Sequence, residues 1–177
     1  MPEKQRRFFL KSKQAKALLQ SASEELDVDL EQLFRSKVNI EVLETEDLEL
    51  IIINGEPVLF KIAENMCPTL KFEEYFRIAP KAVVDMGAIP FVCKGANVMA
   101  PGIRRLEGQF EKQNIIYVVD ERYGKPIAVG ETLYGVEEMR SIRQGPVIRN
   151  LHYVGDKTWS VIKEIGSKGS LRTDLKD

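Results

Sequence analysis

A chain of 177 residues with 44% hydrophobic and 30% charged residues and a net charge of −1 fits a globular protein of one domain or two small ones. It has no apolar run near the roughly 20 residues a spanning helix needs, and its basic start, MPEKQRRFFLKSKQAK, lacks the apolar core of a secretory signal, so the expected location is the cytoplasm with no membrane contact. Two cysteines, Cys67 and Cys93, and one histidine, His152, are too few for a structural zinc site within the chain, and neither cysteine has the electropositive neighbours that activate a thiolate.

In chain order, Phe8 to Leu10 opens as a strand, and Ser12 is placed to N-cap a helix. Ala15, Leu18, Leu19, Ala22 and Leu26 then form one apolar stripe at helical spacing. Asp29 with Gln32 resembles a capping box ahead of a second short helix carrying Leu30, Leu33 and Phe34. Val38, Ile40 and Val42 alternate with polar residues as in a half-buried strand. Leu48 to Ile53 and Glu56 to Ile62 flank Asn54-Gly55, the strongest short hairpin signal, because a type I′ turn needs positive φ at both central positions. Met66 to Phe76 reads as a short helix, and Pro80 breaks the pattern, which puts a boundary near Arg77 to Pro80.

The second half reads as short strands: Ala82 to Asp85, Phe91 to Lys94, Ile115 to Val119, Ile127 to Tyr134 and Val147 to Tyr153. Val136 to Ile142 reads as a short helix, Trp159 to Ile165 as a segment that closes the sheet, and SKGSLRTDLKD as a frayed polar end. Short strands with regular turns predict a small barrel or sandwich.

Charge is distributed unevenly. Residues 24–49 carry ten acids against Arg35 and Lys37, while residues 3–16 carry six bases against Glu3. Arg140, Arg143, Arg149 and Lys157 face only Asp156 over residues 140–157. Such runs are either solvated faces or, respectively, a protein-docking face and basic patches for phosphate.

The stretch DMGAIPFVCKGANVMAPGI, Asp85 to Ile103, holds Gly87, Gly95 and Gly102 with Pro90 and Pro101. Its spacing is neither a P-loop nor GxGxxG. Glycines at such turns allow close backbone approach to a sugar-phosphate chain, N–H groups at the start of a helical turn can hold a phosphate, and Lys94, Arg104 and Arg105 add cations. A structural corner is the competing explanation.

The pattern of a strand, Gly87-Ala88, a second strand, then Gly95-Ala96-Asn97-Val98-Met99 and Pro101-Gly102-Ile103 resembles the opening of the PUA domain, an RNA-binding module. Val129-Gly130 and the closing Asn150-Leu151-His152-Tyr153-Val154-Gly155-Asp156 with Trp159 extend the match. Together these are similar to the malignant T-cell-amplified sequence proteins and their archaeal relatives, which carry a pre-PUA domain in front. The resemblance implies an α+β pre-PUA domain at 1–78, a mostly-β PUA pseudo-barrel at 79–166, and a flexible tail at 167–177. It also implies a non-catalytic protein without cofactor or metal, acting in translation initiation, re-initiation or recycling. The implied partners are tRNA, near its acceptor end, or small-subunit ribosomal RNA, with the small ribosomal subunit and a translation-factor protein. An accessory subunit that presents RNA to a modifying enzyme is the alternative.

Carried over from the family, the expected RNA-binding residues are Gly87, Ala88, Lys94, Gly95, Ala96, Asn97, Pro101, Gly102, Arg104 and Arg105, with Arg149 and Lys157 as additions. Val98, Met99 and Ile103 are expected in the core, His152 as a structural residue, Trp159 as a barrel plug and Cys93 as a buried strand residue. The high ion content leans towards an archaeal source.

Overall fold

The structure is a computed structural model that describes residues 4–35 and 37–173, without the side chains of 167–173. Of the tail expected at 167–177, residues 167–173 continue the last helix and 174–177 lie outside the described residues. The chain divides into two compact units, residues 1–75 with 161–177, and residues 76–160.

In the first unit, strand β1 (Arg6–Phe9) leads into helix α1 (Ser12–Leu26) and helix α2 (Leu30–Phe34). Lys11, not Ser12, is the N-cap of α1. Its backbone N–H donates to the Gln14 side chain at 3.4 Å, so no hydroxyl cap is used and Ser12 becomes the first helical residue. The apolar stripe is realised: Ala15, Leu19, Ala22 and Leu26 are buried. Asp29 caps α2 by accepting from the Gln32 N–H at 3.1 Å.

Strands β2 (Ile40–Glu44), β3 (Glu49–Ile53), β4 (Glu56–Ile62) and β5 (Asn65–Pro68) then pair in sequence order, all antiparallel, with β1 on the outer edge against β2. Asn54 and Gly55 join β3 to β4 with φ of 51° and 87°, the two positive angles a type I′ turn requires. Met66 to Phe76 is not one helix: its first part is β5, and helix α3 starts only at Glu73 (Glu73–Ile78).

The acidic run is not a uniform face. Arg7 pairs with Glu41 across β1 and β2, Arg6 reaches Glu44 at 3.9 Å, and Glu49 meets Lys61 at 3.3 Å. Part of the basic start thus neutralises part of the acidic run within one sheet.

In the second unit a six-stranded sheet has the order β7-β11-β10-β9-β6-β8. Its strands are β6 (Lys81–Val84), β7 (Val98–Met99), β8 (Ile103–Glu107), β9 (Ile115–Asp120), β10 (Pro126–Thr132) and β11 (Pro146–Tyr153). Strand β6 runs parallel to β9, and the other pairs are antiparallel. The curled sheet closes over a core of Ala82, Val84, Ile116, Val118, Val147 and Ile148, capped by Val136 and Met139 of helix α5 (Val136–Ser141).

Two segments differ from the expectation. Phe91 to Lys94 is no strand: helix α4 spans Ile89–Val92, and the chain turns at 93–95. Pro90, placed in the first turn where its missing N–H costs nothing, favours the helix, and the N–H groups of Phe91 to Ala96 all bond locally. Trp159 to Ile165 does not close the sheet either, because it lies within helix α6 (Lys157–Thr173). Asp156 accepts from the Trp159 N–H at 2.7 Å, an N-cap bond that commits the following residues to a helix. No described helix is long and apolar enough to cross a membrane.

Candidate nucleic-acid interface

The glycine-rich stretch forms two linked turns on the outside of the second unit. In the first, Asp85 makes an Asx turn: its Oδ1 accepts from the Ala88 N–H at 2.8 Å. The Asp85 N–H donates to the Gly102 carbonyl at 2.9 Å, which ties this turn to the 3₁₀ turn of Ala100–Gly102. A Cβ at Gly102 would stand 3.3 Å from that of Ala88, a tight contact.

In the second turn Gly95 takes a φ of +98°, beside the Tyr153 ring. Asn150 of β11 holds the segment from below. Its Nδ2 donates to the carbonyls of Val92 and Ala96, both at 3.0 Å, and its N–H donates to Asn97 Oδ1 at 3.0 Å. Asn97 is therefore a structural link as well as an exposed residue.

The surface of these turns is open. Gly87, Lys94, Gly95, Ala96, Asn97, Pro101, Arg104 and Arg105 are exposed, while Ala88 and Gly102 are half-buried. Arg149 lies exposed on β11, and Lys157 opens α6 after the turn that follows β11. The N–H groups of Ala88 and of residues 91–96 are all engaged within the protein.

The cations differ in setting. Arg104 Nε lies 3.4 Å from Glu121, whose other carboxylate oxygen accepts from the Met86 N–H at 3.2 Å. Arg105 Nε turns to Glu107 on its own strand at 2.9 Å, and Arg149 meets Glu131 across the β10–β11 ladder at 3.3 Å. Lys94 has no salt bridge among the described residues. Exposed pairs of this kind contribute only about 0–1 kcal/mol, so a polyanion displaces such carboxylates readily.

Three exposed apolar side chains escaped the sequence reading. Phe91 is 67% exposed, Met99 48% and Met86 38%, all within the glycine-rich stretch. Met99 was expected in the core, but the two-residue strand β7 turns it outward while Val98 is buried. Ile103 is half-buried. The available signal was Pro90 directly before Phe91: a helical turn begun by proline shows its second and third residues on different sides, and Val92 takes the buried side.

The remaining candidates are structural. His152 is fully buried with Nδ1 2.8 Å from Asp156 Oδ2. Burial works to raise the Asp156 pKa, but the His152 hydrogen bond and the N–H groups of Trp159 and Tyr153 outweigh it and hold it below the usual carboxylate value. Cys93 is half-buried in a turn, not in a strand, and burial pushes its thiol pKa up, away from reactivity. Trp159 is half-buried at the start of α6.

Comparison with known proteins agrees with this layout. Residues 80–154 match the PUA domain, and residues 6–75 match a domain of unknown function (DUF1947). An uncharacterized protein of Methanocaldococcus jannaschii is 38% identical over 164 residues, covering 89% of this chain and 98% of that protein. The translation machinery-associated protein 20 of Saccharomyces cerevisiae is 33% identical over 139 residues, covering 74% and 77%. The crystal structure of a PUA domain from Aeropyrum pernix K1, in complex with tartrate, superposes with a TM-score of 0.82 at 23% identity over 93% of this chain and 94% of that one, a likeness of fold.

Proposed function

The chain belongs to the family of the translation machinery-associated protein 20 and the malignant T-cell-amplified sequence proteins, and from that premise we propose that it binds RNA without catalysis through the outer turns of its PUA domain. The role that fits is in translation initiation, re-initiation or ribosome recycling, on the tRNA acceptor end or small-subunit ribosomal RNA. The small ribosomal subunit and a translation-factor protein are the accompanying partners.

One observation carries the reading. Phe91 and Lys94 stand exposed three positions apart on the same short helix and turn, with Arg104 exposed on β8. A base stacks on an exposed aromatic face and is worth about 1–3 kcal/mol. Cations next to it take the phosphates and give the salt-dependent part of affinity. Unpaired 3′ nucleotides beside a helical stem supply both splayed bases and a dense phosphate backbone.

The test is a binding titration with tRNA, with and without its 3′ CCA end, at two salt concentrations. Binding is expected to weaken with salt and on loss of the CCA end. Replacing Lys94, Arg104 and Arg105 together by Ala is expected to weaken it several-fold. Unchanged affinity in that variant places the site elsewhere, and co-purification with a modifying enzyme in place of ribosomal subunits favours the accessory role.

A further inference from the structure

A cleft of about 430 Å³ opens between β8 and helix α5, lined by Arg104 and Arg105 from one side and Arg140 and Arg143 from the other. We propose that this cleft is a second phosphate-binding subsite for the RNA strand, in which Arg140 and Arg143 work together with Arg104 and Arg105. The proposal rests on the RNA-binding reading and extends it to residues outside the glycine-rich turns.

Four arginines and no carboxylate are among the residues that line it. Their carboxylate partners stand outside the lining: Glu121 on Arg104, Glu107 on Arg105 and Glu137 on Arg140 at 2.7 Å. Arg143 has no salt bridge among the described residues. The contact in each pairing is at Nε for Arg104 and Arg105 and at one Nη for Arg140. A guanidinium carries five N–H donors in a rigid fork, so one contact fixes its direction and leaves donors for a phosphate. Three of the four positive charges are balanced by those carboxylates and Arg143 is not, which leaves a net positive charge around the cleft that a bound anion offsets.

The floor decides between a free ion and a strand. Leu106, Met139 and Ile142 contribute apolar surface beneath the arginines. An isolated oxyanion gains nothing from an apolar floor, whereas a nucleotide lays its sugar or base there and its phosphate on the rim. The cleft also includes Pro101, Arg104 and Arg105, the far end of the glycine-rich surface, so a strand crossing that surface runs on into it. Arg140 also has a local role, as an i, i+3 partner of Glu137 near the end of α5. Arg143 lies beyond the end of that helix and has no such role.

The experiment measures tRNA affinity of the full chain against salt for the wild type and for Arg140→Ala/Arg143→Ala. Loss of two phosphate contacts is expected to make the slope of log K on log salt shallower by about 1.4 on a single strand and about 1.8 on a duplex. Affinity at low salt is expected to fall about fivefold or more. Arg140→Lys/Arg143→Lys is expected to restore the slope but only part of the affinity, because charge returns without the fork. If the alanine pair lowers the melting temperature, Arg143→Glu, an exposed change outside the helix, replaces it with the same expected direction. Unchanged affinity and slope, with Lys94→Ala still weakening binding, overturns the subsite and leaves the RNA reading standing. No tRNA binding by the wild type overturns both. A polyglutamate peptide that loses affinity for the alanine pair while tRNA does not makes the cleft a protein contact and also overturns the proposal.

Discussion

Asn97 Oδ1 accepts the backbone N–H of Asn150 at 3.0 Å, while the Asn150 amide reaches back to the carbonyls of Val92 and Ala96. Two asparagines 53 positions apart thus fasten the exposed turn at 93–97 to strand β11, and the shape of the candidate RNA surface depends on that fastening.

Asn150→Ala removes two side-chain hydrogen bonds: the Ala96 carbonyl loses its Asn150 donor, while the Val92 carbonyl keeps the Gly95 N–H. It is expected to destabilise the protein by about 1–3 kcal/mol and to weaken tRNA binding although Asn150 itself is only half-exposed. Thermal melts paired with binding titrations check both effects. Normal stability with normal binding would remove Asn150 from the account.

Phe91→Ala separates stacking from charge. With Phe91 67% exposed, stability is expected to be unchanged within about 0.5 kcal/mol. RNA affinity is expected to drop by roughly 1–3 kcal/mol with the salt slope intact. Lys94→Ala is expected to do the opposite in one respect, making the slope shallower by about one contact.

Gly130→Ala tests the strand pairing under the site. A Cβ there would meet Ile148 Cγ2 at 2.3 Å and the Arg149 carbonyl oxygen at 2.7 Å, where β10 and β11 shift register. Overpacking against backbone is expected to cost about 3 kcal/mol or prevent folding, read as a large drop in melting temperature.

The His152–Asp156 contact predicts an acid limb of stability. The folded-state pKa of Asp156 is depressed, so its contribution is present above the unfolded carboxylate value of about 3.9 and is lost as pH falls through the folded value. The stability advantage of the wild type over Asp156→Asn is therefore expected to be full above about pH 4 and to shrink below it. Denaturant melts from pH 7 down to pH 2 measure this, and an advantage independent of pH contradicts it.

Much of this was legible in the residues. The stripe from Ala15 to Leu26 and the Asn54-Gly55 hairpin depend on local spacing and local φ preference, and they formed as expected. The motifs from Gly95 to Met99 and at Pro101-Gly102 pointed to the PUA fold. Helix α4 was misread because Phe91-Val92-Cys93 is apolar and partly β-branched, a strand composition. Pro90 and the Asp85 turn ahead of the helix decided otherwise. Trp159 to Ile165 failed for the same reason, with Asp156 as the deciding cap.

The cleft of Arg104, Arg105, Arg140 and Arg143 was not legible as a unit, since its two pairs lie more than thirty positions apart and only the fold brings them together. Neither was the pairing of Arg6 and Arg7 with the acidic run, which requires the β1–β2 register.

Amide chemical-shift mapping on titration with a tRNA acceptor minihelix ending in CCA tests the central claim most directly. The largest perturbations are expected at residues 86–97 and 101–105, and they should diminish with a minihelix lacking CCA. Perturbations confined to residues 6–75, with the glycine-rich turns silent, would contradict the account.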